Sequence, residues 1–282
     1  MILQLHSAVA LQDRAHRRAL TLALATPRNM LPLQTVVALG LYLSGAPLQH
    51  SSSSAASRAA VVRAQSSSAP VVGLDVVELT KDFLKSASGY YSPVDASKLD
   101  EAFVFRAPTI GPLNKKDYMQ TMTNLQTYVG FPDLTPNAFG FTVDPDDELK
   151  CILWTRATGT FSQPWNPYGA KLEALTIPPT GATARLPTEC YSITYTPEGK
   201  VKYLTAGYVV NKLEGNTAGY GAVLALFVAA GKTDMVNLAL NENVRSVGNW
   251  LANNVDSSVA KTQSNTDELP RWYASVEPPP PA

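Results

Sequence analysis

Hydrophobic and polar positions change their period several times along this chain, and each change marks an element. Leu74, Val77, Phe83 and Leu84 form an apolar stripe that predicts a helix over 74–88, closed by Gly89. A second short helix is expected over 95–101. Phe103-Val104-Phe105-Arg106 reads as a strand stopped by Ala107-Pro108. After the Gly111-Pro112 turn, Asn114 is placed to cap a third helix over 115–128, with Tyr118, Met122 and Leu125 at helical spacing.

Beyond this point the period shortens to that of strands. Segments 138–143 and 149–161 are separated by Asp144-Pro145-Asp146-Asp147, a turn rich in acids. In the second segment Ile152, Trp154, Arg156, Thr158 and Thr160 point one way, and Cys151, Leu153, Thr155, Ala157 and Phe161 the other. A Pro/Gly-rich excursion over 163–180 follows. Two long strands then run from Pro178 to Tyr195 and from Val201 to Asn211, joined by the turn Thr196-Pro197-Glu198-Gly199-Lys200. Helices followed by an antiparallel meander predict an α+β fold, with helices on one face of a bent sheet.

The remaining pattern is helical. Residues 218–231 are nearly all apolar, too short to span a bilayer but suited to a buried helix or a dimer surface. An amphipathic helix is expected over 232–255 through Met235, Leu238, Val244, Val247 and Leu251. This C-terminal extension either packs on its own domain or touches a partner or membrane surface through Trp250 and Trp272. Pro278 to Pro281 reads as a disordered end.

Composition adds a leader. Residues 1–70 hold six arginines, no lysine and a single acid, Asp13, with serine runs at Ser51–Ser54 and Ser66–Ser68. That is the composition of an organelle transit peptide. The expected organisation is a leader over 1–64, a main domain over 71–231 and an extension over 232–282. Val62-Arg63-Ala64 resembles the Val-X-Ala cleavage pattern of green-algal chloroplast leaders, so the expected location is the chloroplast, with mitochondrion or secretory route as alternatives. The apolar run 31–43 is the feature that a secretory route would use.

Losing the leader removes His6, His16 and His50, the only histidines. A mature chain without imidazole has no Ser-His or Cys-His nucleophile pair and no His-ligated metal. Taking the leader's six arginines and one acid from 23 basic and 23 acidic residues leaves a net charge near −5, which disfavours nucleic acid. Cys151 and Cys190 read as free thiols, with neither C-x-x-C spacing nor a metal quartet. Gly215 to Gly221 lacks a Walker lysine and the dinucleotide fingerprint. No cofactor or metal is expected.

Several short motifs occur in an order that resembles SnoaL-like proteins of the nuclear transport factor 2-like superfamily. They are Phe103 to Pro108, Gly111-Pro112-Leu113 with Tyr118, Phe131-Pro132-Asp133-Leu134, Trp154-Thr155-Arg156 with Gly159-Thr160, Pro179-Thr180-Gly181, and Glu198-Gly199-Lys200-Val201. Gly207-Tyr208-Val209-Val210-Asn211 followed by Glu214-Gly215-Asn216-Thr217 resembles a photosynthetic branch of that family. The resemblance implies a cone: about three N-terminal helices wrapped around a strongly curved antiparallel sheet, leaving a mostly apolar pocket. Family members include cyclases, isomerases and dehydratases as well as non-catalytic binding and dimerisation modules, so fold does not select function.

In the cyclases and isomerases a carboxylate abstracts a proton next to a carbonyl, and apolar surroundings raise its pKa. The resemblance places an Asp where this chain has Asn211, and an amide is no base. Strand parity sets Glu189 with Tyr191 on one face, the candidate carboxylate and phenol, with Asp100 as a further candidate acid. Trp154, Arg156, Tyr203 and Asn211 are the candidate ligand-binding residues. The function expected is binding of a small apolar or carbonyl-bearing molecule, with isomerase or cyclase activity open. The alternative is a non-catalytic homodimerisation or scaffold module.

Overall fold

The structure, a computed structural model, describes residues 73–167, 175–256 and 259–274. All of them belong to one compact unit, 64–282. The leader, the three histidines and the terminal proline run lie outside the described residues.

Helix α1 spans Val76–Ser86 and begins where the Asp75 carboxylate accepts the Val77 and Glu78 N–H groups at 3.1 and 3.0 Å. Its buried face is Val76, Thr80, Phe83 and Leu84, which packs toward the sheet. The helix expected over 95–101 is instead a single 3-10 turn, Ala96–Lys98, after which strand β1 (Leu99–Arg106) starts at once. The reason is tertiary: Leu99 is fully buried and pairs with Val201, and the polar residues before it offer no stripe to anchor a helix.

Six strands make the main sheet: β1, β2 (Leu113–Asn114), β3 (Phe139–Asp144), β4 (Asp147–Thr155), β7 (Glu189–Tyr195) and β8 (Val201–Val209), in the order β2-β1-β8-β7-β4-β3. β1 runs parallel to β8 and every other pairing is antiparallel, so the sheet is mixed, which corrects the wholly antiparallel expectation. Turn chemistry fixes strand direction only for pairs joined by hairpins. β1 and β8 are joined by almost the whole domain.

The strand expected over 149–161 breaks after Thr155. Arg156 N–H donates to Pro136 O at 3.0 Å and the Asn137 amide donates to Arg156 O and Thr158 Oγ1. These contacts turn the chain into β5 (Thr158–Thr160), which pairs with β6 (Thr183–Arg185) in a separate two-stranded sheet. β7 alternates strictly between buried and half-buried positions, as one covered face requires.

Helix α2 (Lys115–Leu125) carries the expected Asn114 cap, whose Oδ1 accepts the Asp117 N–H at 2.9 Å. It stops short of Tyr128 because Gln126 is left-handed, with φ 42°, and a single turn α3 (Thr127–Gly130) follows. Tyr118 packs on Phe103 and Phe105 of β1 with centroids 5.0 and 5.1 Å apart. The apolar segment forms α4 (Ala222–Ala229), whose Val223 to Phe227 are all buried, with Phe227 against Trp165. What looked like one amphipathic helix is two, α5 (Thr233–Leu240) and α6 (Glu242–Asn254), because Asn241 caps the second through the Asn243 and Val244 N–H groups.

The extension packs on the domain. Lys261 Nζ meets Asp117 Oδ1 at 2.7 Å with both side chains buried, and Ser264 donates to Asp117 Oδ2 at 2.6 Å. Trp272 of the short helix α7 (Arg271–Ala274) donates to Ala102 O at 2.9 Å. Among the described residues no helix is long and apolar enough to cross a membrane.

Candidate functional site

The β4–β7 register builds a polar cluster on the buried face of the sheet. Thr155 lies opposite Glu189 and Leu153 opposite Tyr191, so one carboxyl, one hydroxyl and one phenol meet where the strands end. Glu189 is fully buried. Its Oε2 accepts from the Tyr191 hydroxyl at 3.2 Å and its Oε1 accepts the Ala222 N–H, at the start of α4, at 2.6 Å. Gly221 makes this approach possible, since a Cβ there would sit 2.5 Å from Glu189 Oε1.

The chain of contacts continues outward. The Tyr191 and Tyr91 hydroxyls are 3.4 Å apart, and the Tyr90 and Tyr91 rings meet edge to face at 4.9 Å. Among the described residues the buried Tyr90 hydroxyl has no hydrogen-bond partner, and the buried Thr155 hydroxyl acts on the Tyr91 phenol. Desolvation dominates the electrostatics: burial pushes Glu189 from its ordinary 4.5 to about 7, against the opposing pull of the Ala222 and Tyr191 hydrogen bonds. Burial likewise raises Tyr90, Tyr91 and Tyr191, so all three phenols hold their protons at neutral pH.

Tyr91 also lines a cleft of about 520 Å³, bounded by Lys81, Leu84 and Lys85 of α1, by the 134–138 segment and by Phe141 of β3. The volume suits a small organic molecule. Tyr91 therefore belongs to both the cleft and the hydrogen-bonded chain that leads to Glu189. Among the described residues no cluster of three His, Cys, Asp or Glu side chains is placed to hold a metal ion.

No family model matches the chain, and no curated protein matches it. Among solved structures, a protein described as a SnoaL-like polyketide cyclase from Jannaschia sp. is 16% identical, with a TM-score of 0.38 over 56% of this chain and 92% of that one. The epoxide hydrolase/cyclase-like enzyme SalBIII, described in pyran ring formation in salinomycin, is 11% identical, with a TM-score of 0.32 over 52% of this chain and 95% of its own. A nuclear transport factor 2-like protein from Anabaena variabilis is 14% identical, with a TM-score of 0.30 over 51% and 87%. The structural neighbours are SnoaL-like and nuclear transport factor 2-like proteins.

The residues singled out from sequence fall into separate places. Glu189 and Tyr191 come together, as parity implied. Trp154 and Arg156 lie on the opposite sheet face, where Trp154 covers Gly140 and the Arg156 guanidinium stacks 4.9 Å from the Phe139 ring. Arg156 Nε donates to Thr188 Oγ1 at 2.9 Å, and Glu214 accepts from both the Thr188 hydroxyl and N–H. Tyr203 packs against Trp272 and Tyr273, at 5.5 and 5.9 Å, and burial lifts its phenol to about 12. Asn211 is exposed in the turn after β8, where its Oδ1 accepts the Leu213 N–H at 3.0 Å. Asp100 accepts the Ala102 N–H at the start of β1. Cys151 and Cys190 are free and on opposite faces of the sheet, paired in register with Ile193 and Trp154.

Tyr90, Tyr91, Thr155, Lys81 and Lys85 were not among the sequence candidates. The available signal was the Tyr90-Tyr91 pair directly after Gly89, two phenols in a turn where packing alone favours apolar residues. Their relation to Glu189 depends on Ser88, whose hydroxyl accepts the Tyr91 N–H at 3.1 Å.

Proposed function

We propose that this chain binds a small, largely apolar carbonyl compound in the Tyr91 cleft, and that the Glu189–Tyr191–Tyr91 chain sets whether Tyr91 donates to the carbonyl oxygen. The carrying observation is that Tyr91 lines the cleft and, through its hydroxyl, joins the hydrogen-bonded chain from a buried carboxyl. Each phenol has one proton. With Glu189 ionised, Tyr191 commits its proton to Glu189 and Tyr91 donates to Tyr191, leaving only an acceptor toward the cleft. With Glu189 protonated, the carboxylic acid donates to Tyr191, Tyr191 donates to Tyr91, and the Tyr91 proton is released from Tyr191, for Thr155 or a ligand oxygen to accept.

A donor aimed at a carbonyl oxygen also stabilises the negative charge that develops there on enolisation. Glu189 does not line the cleft, so in an isomerase- or cyclase-type form of this reading it acts by turning the chain's donor direction, and its rise to about 7 sets that turn near neutral pH. The Arg- and Ser-rich composition of 1–64 supports assigning the activity to a plastid.

Calorimetric titration with butyrophenone tests the binding. Affinity is expected to fall as pH rises through about 7. Tyr91→Phe weakens binding at pH 6 by about 5- to 10-fold, the effect of one hydrogen bond. Binding that ignores both pH and Tyr91 would overturn the reading. A non-catalytic homodimer or scaffold is the second reading, favoured by β3, a free edge strand with Phe139 and Val143 both exposed. Sedimentation at micromolar concentration reads the homodimer directly: a monomer removes it.

A further inference from the structure

The cleft wall contains two ammonium groups and no carboxylate. Lys81 and Lys85 stand four residues apart on α1, the spacing at which like charges face each other and repel. Lys81 is held in place, paired with Glu78 at 2.6 Å and lying 5.6 Å from the Phe141 ring centroid. Lys85 makes no ion pair among the described residues, and its neighbour Asp82 is already engaged by Lys98 at 2.9 Å. Apart from the lysines, Tyr91 and Thr135, the wall is apolar, made by Leu84, Leu134, Pro136, Ala138 and Phe141.

We propose that the cleft takes an amphipathic carboxylic acid, its carboxylate held by Lys81 and Lys85 and its carbonyl oxygen meeting Tyr91 across an apolar body. This rests on the carbonyl-binding reading and adds the charge of the ligand to it. An anion beside both lysines relieves their mutual repulsion and gives Lys85, whose charge otherwise acts on Asp82 without a close ion pair among the described residues, a direct partner. The exposed Lys81–Glu78 pair is weak enough to be exchanged for a ligand carboxylate.

The test compares β-benzoylpropionate, a keto acid, with its methyl ester and with butyrophenone by calorimetry on the full chain. The acid is expected to bind roughly ten-fold more tightly than the ester, in keeping with two partly exposed ion pairs, and the gap should narrow at high salt. Lys81→Met/Lys85→Met closes the gap, while Lys81→Arg/Lys85→Arg keeps it. Equal binding of acid and ester, or a preference that survives in the double Met variant, overturns the assignment and leaves the carbonyl reading standing. If none of the three probes binds, the carbonyl reading falls and this one with it.

Discussion

Glu189 holds more proton in the folded chain than in the unfolded chain across the interval from its ordinary 4.5 to about 7. Its folded pKa is raised, so its contribution to stability is greatest below about pH 4.5, declines as pH rises and levels off above about 7. The full swing is about 3 kcal/mol. Urea midpoints measured from pH 4 to 8 should show this decline in the natural chain and lack it in Glu189→Gln. The same variant fixes the donor direction, because the amide donates permanently to Tyr191, so ketone binding becomes independent of pH. Gly221→Ala is expected to destabilise by about 1–3 kcal/mol, since its Cβ would press on a buried carboxyl and on Val209 Cγ2 at 2.7 Å. A denaturation midpoint unchanged by this substitution would show that α4 can shift away from Glu189.

At the scale of elements, caps were easier to read than lengths. Asn114 was placed correctly because a short polar residue before an apolar stripe is a local signal. Asn241 is the same signal, yet it lay inside a continuous amphipathic pattern and two helices were read as one. Asn241→Ala should lower stability by about 1 kcal/mol, with faster amide exchange at Asn243 and Val244. Strand β4 shows the opposite difficulty. The alternation of Cys151 to Phe161 groups the residues of each face correctly through Thr155 but cannot say which face is inner or mark the break, because Pro136 and Asn137 supply the bonds that turn the chain there.

For the whole molecule, the important contact joins residues far apart in sequence. Asp117 of α2 is fully buried, with Lys261 and Ser264 as its partners, so the segment beyond 231 satisfies a charge within the main body. Lys261→Met leaves that carboxylate without its cation and should destabilise by about 3–5 kcal/mol. The double variant Asp117→Leu/Lys261→Met should recover much of the loss, read as a double-mutant cycle on urea midpoints. The division expected at 231 rests on the change from an apolar to an amphipathic pattern, and Asp117 and Lys261 carry no local mark of their pairing.

By itself the sequence determined the α+β class, the cap of α2, which residues of β4 and of β7 share a face, and the neighbourhood of Glu189 and Tyr191. All of these follow from patterns within a few residues, where backbone geometry dictates which way side chains point. Only the tertiary structure decided the parallel pairing of β1 with β8, the end of β4, the docking of the C-terminal segment and the meeting of Tyr91 with Tyr191. Those depend on contacts between segments whose approach is governed by how the whole core closes, and no local period encodes that closure.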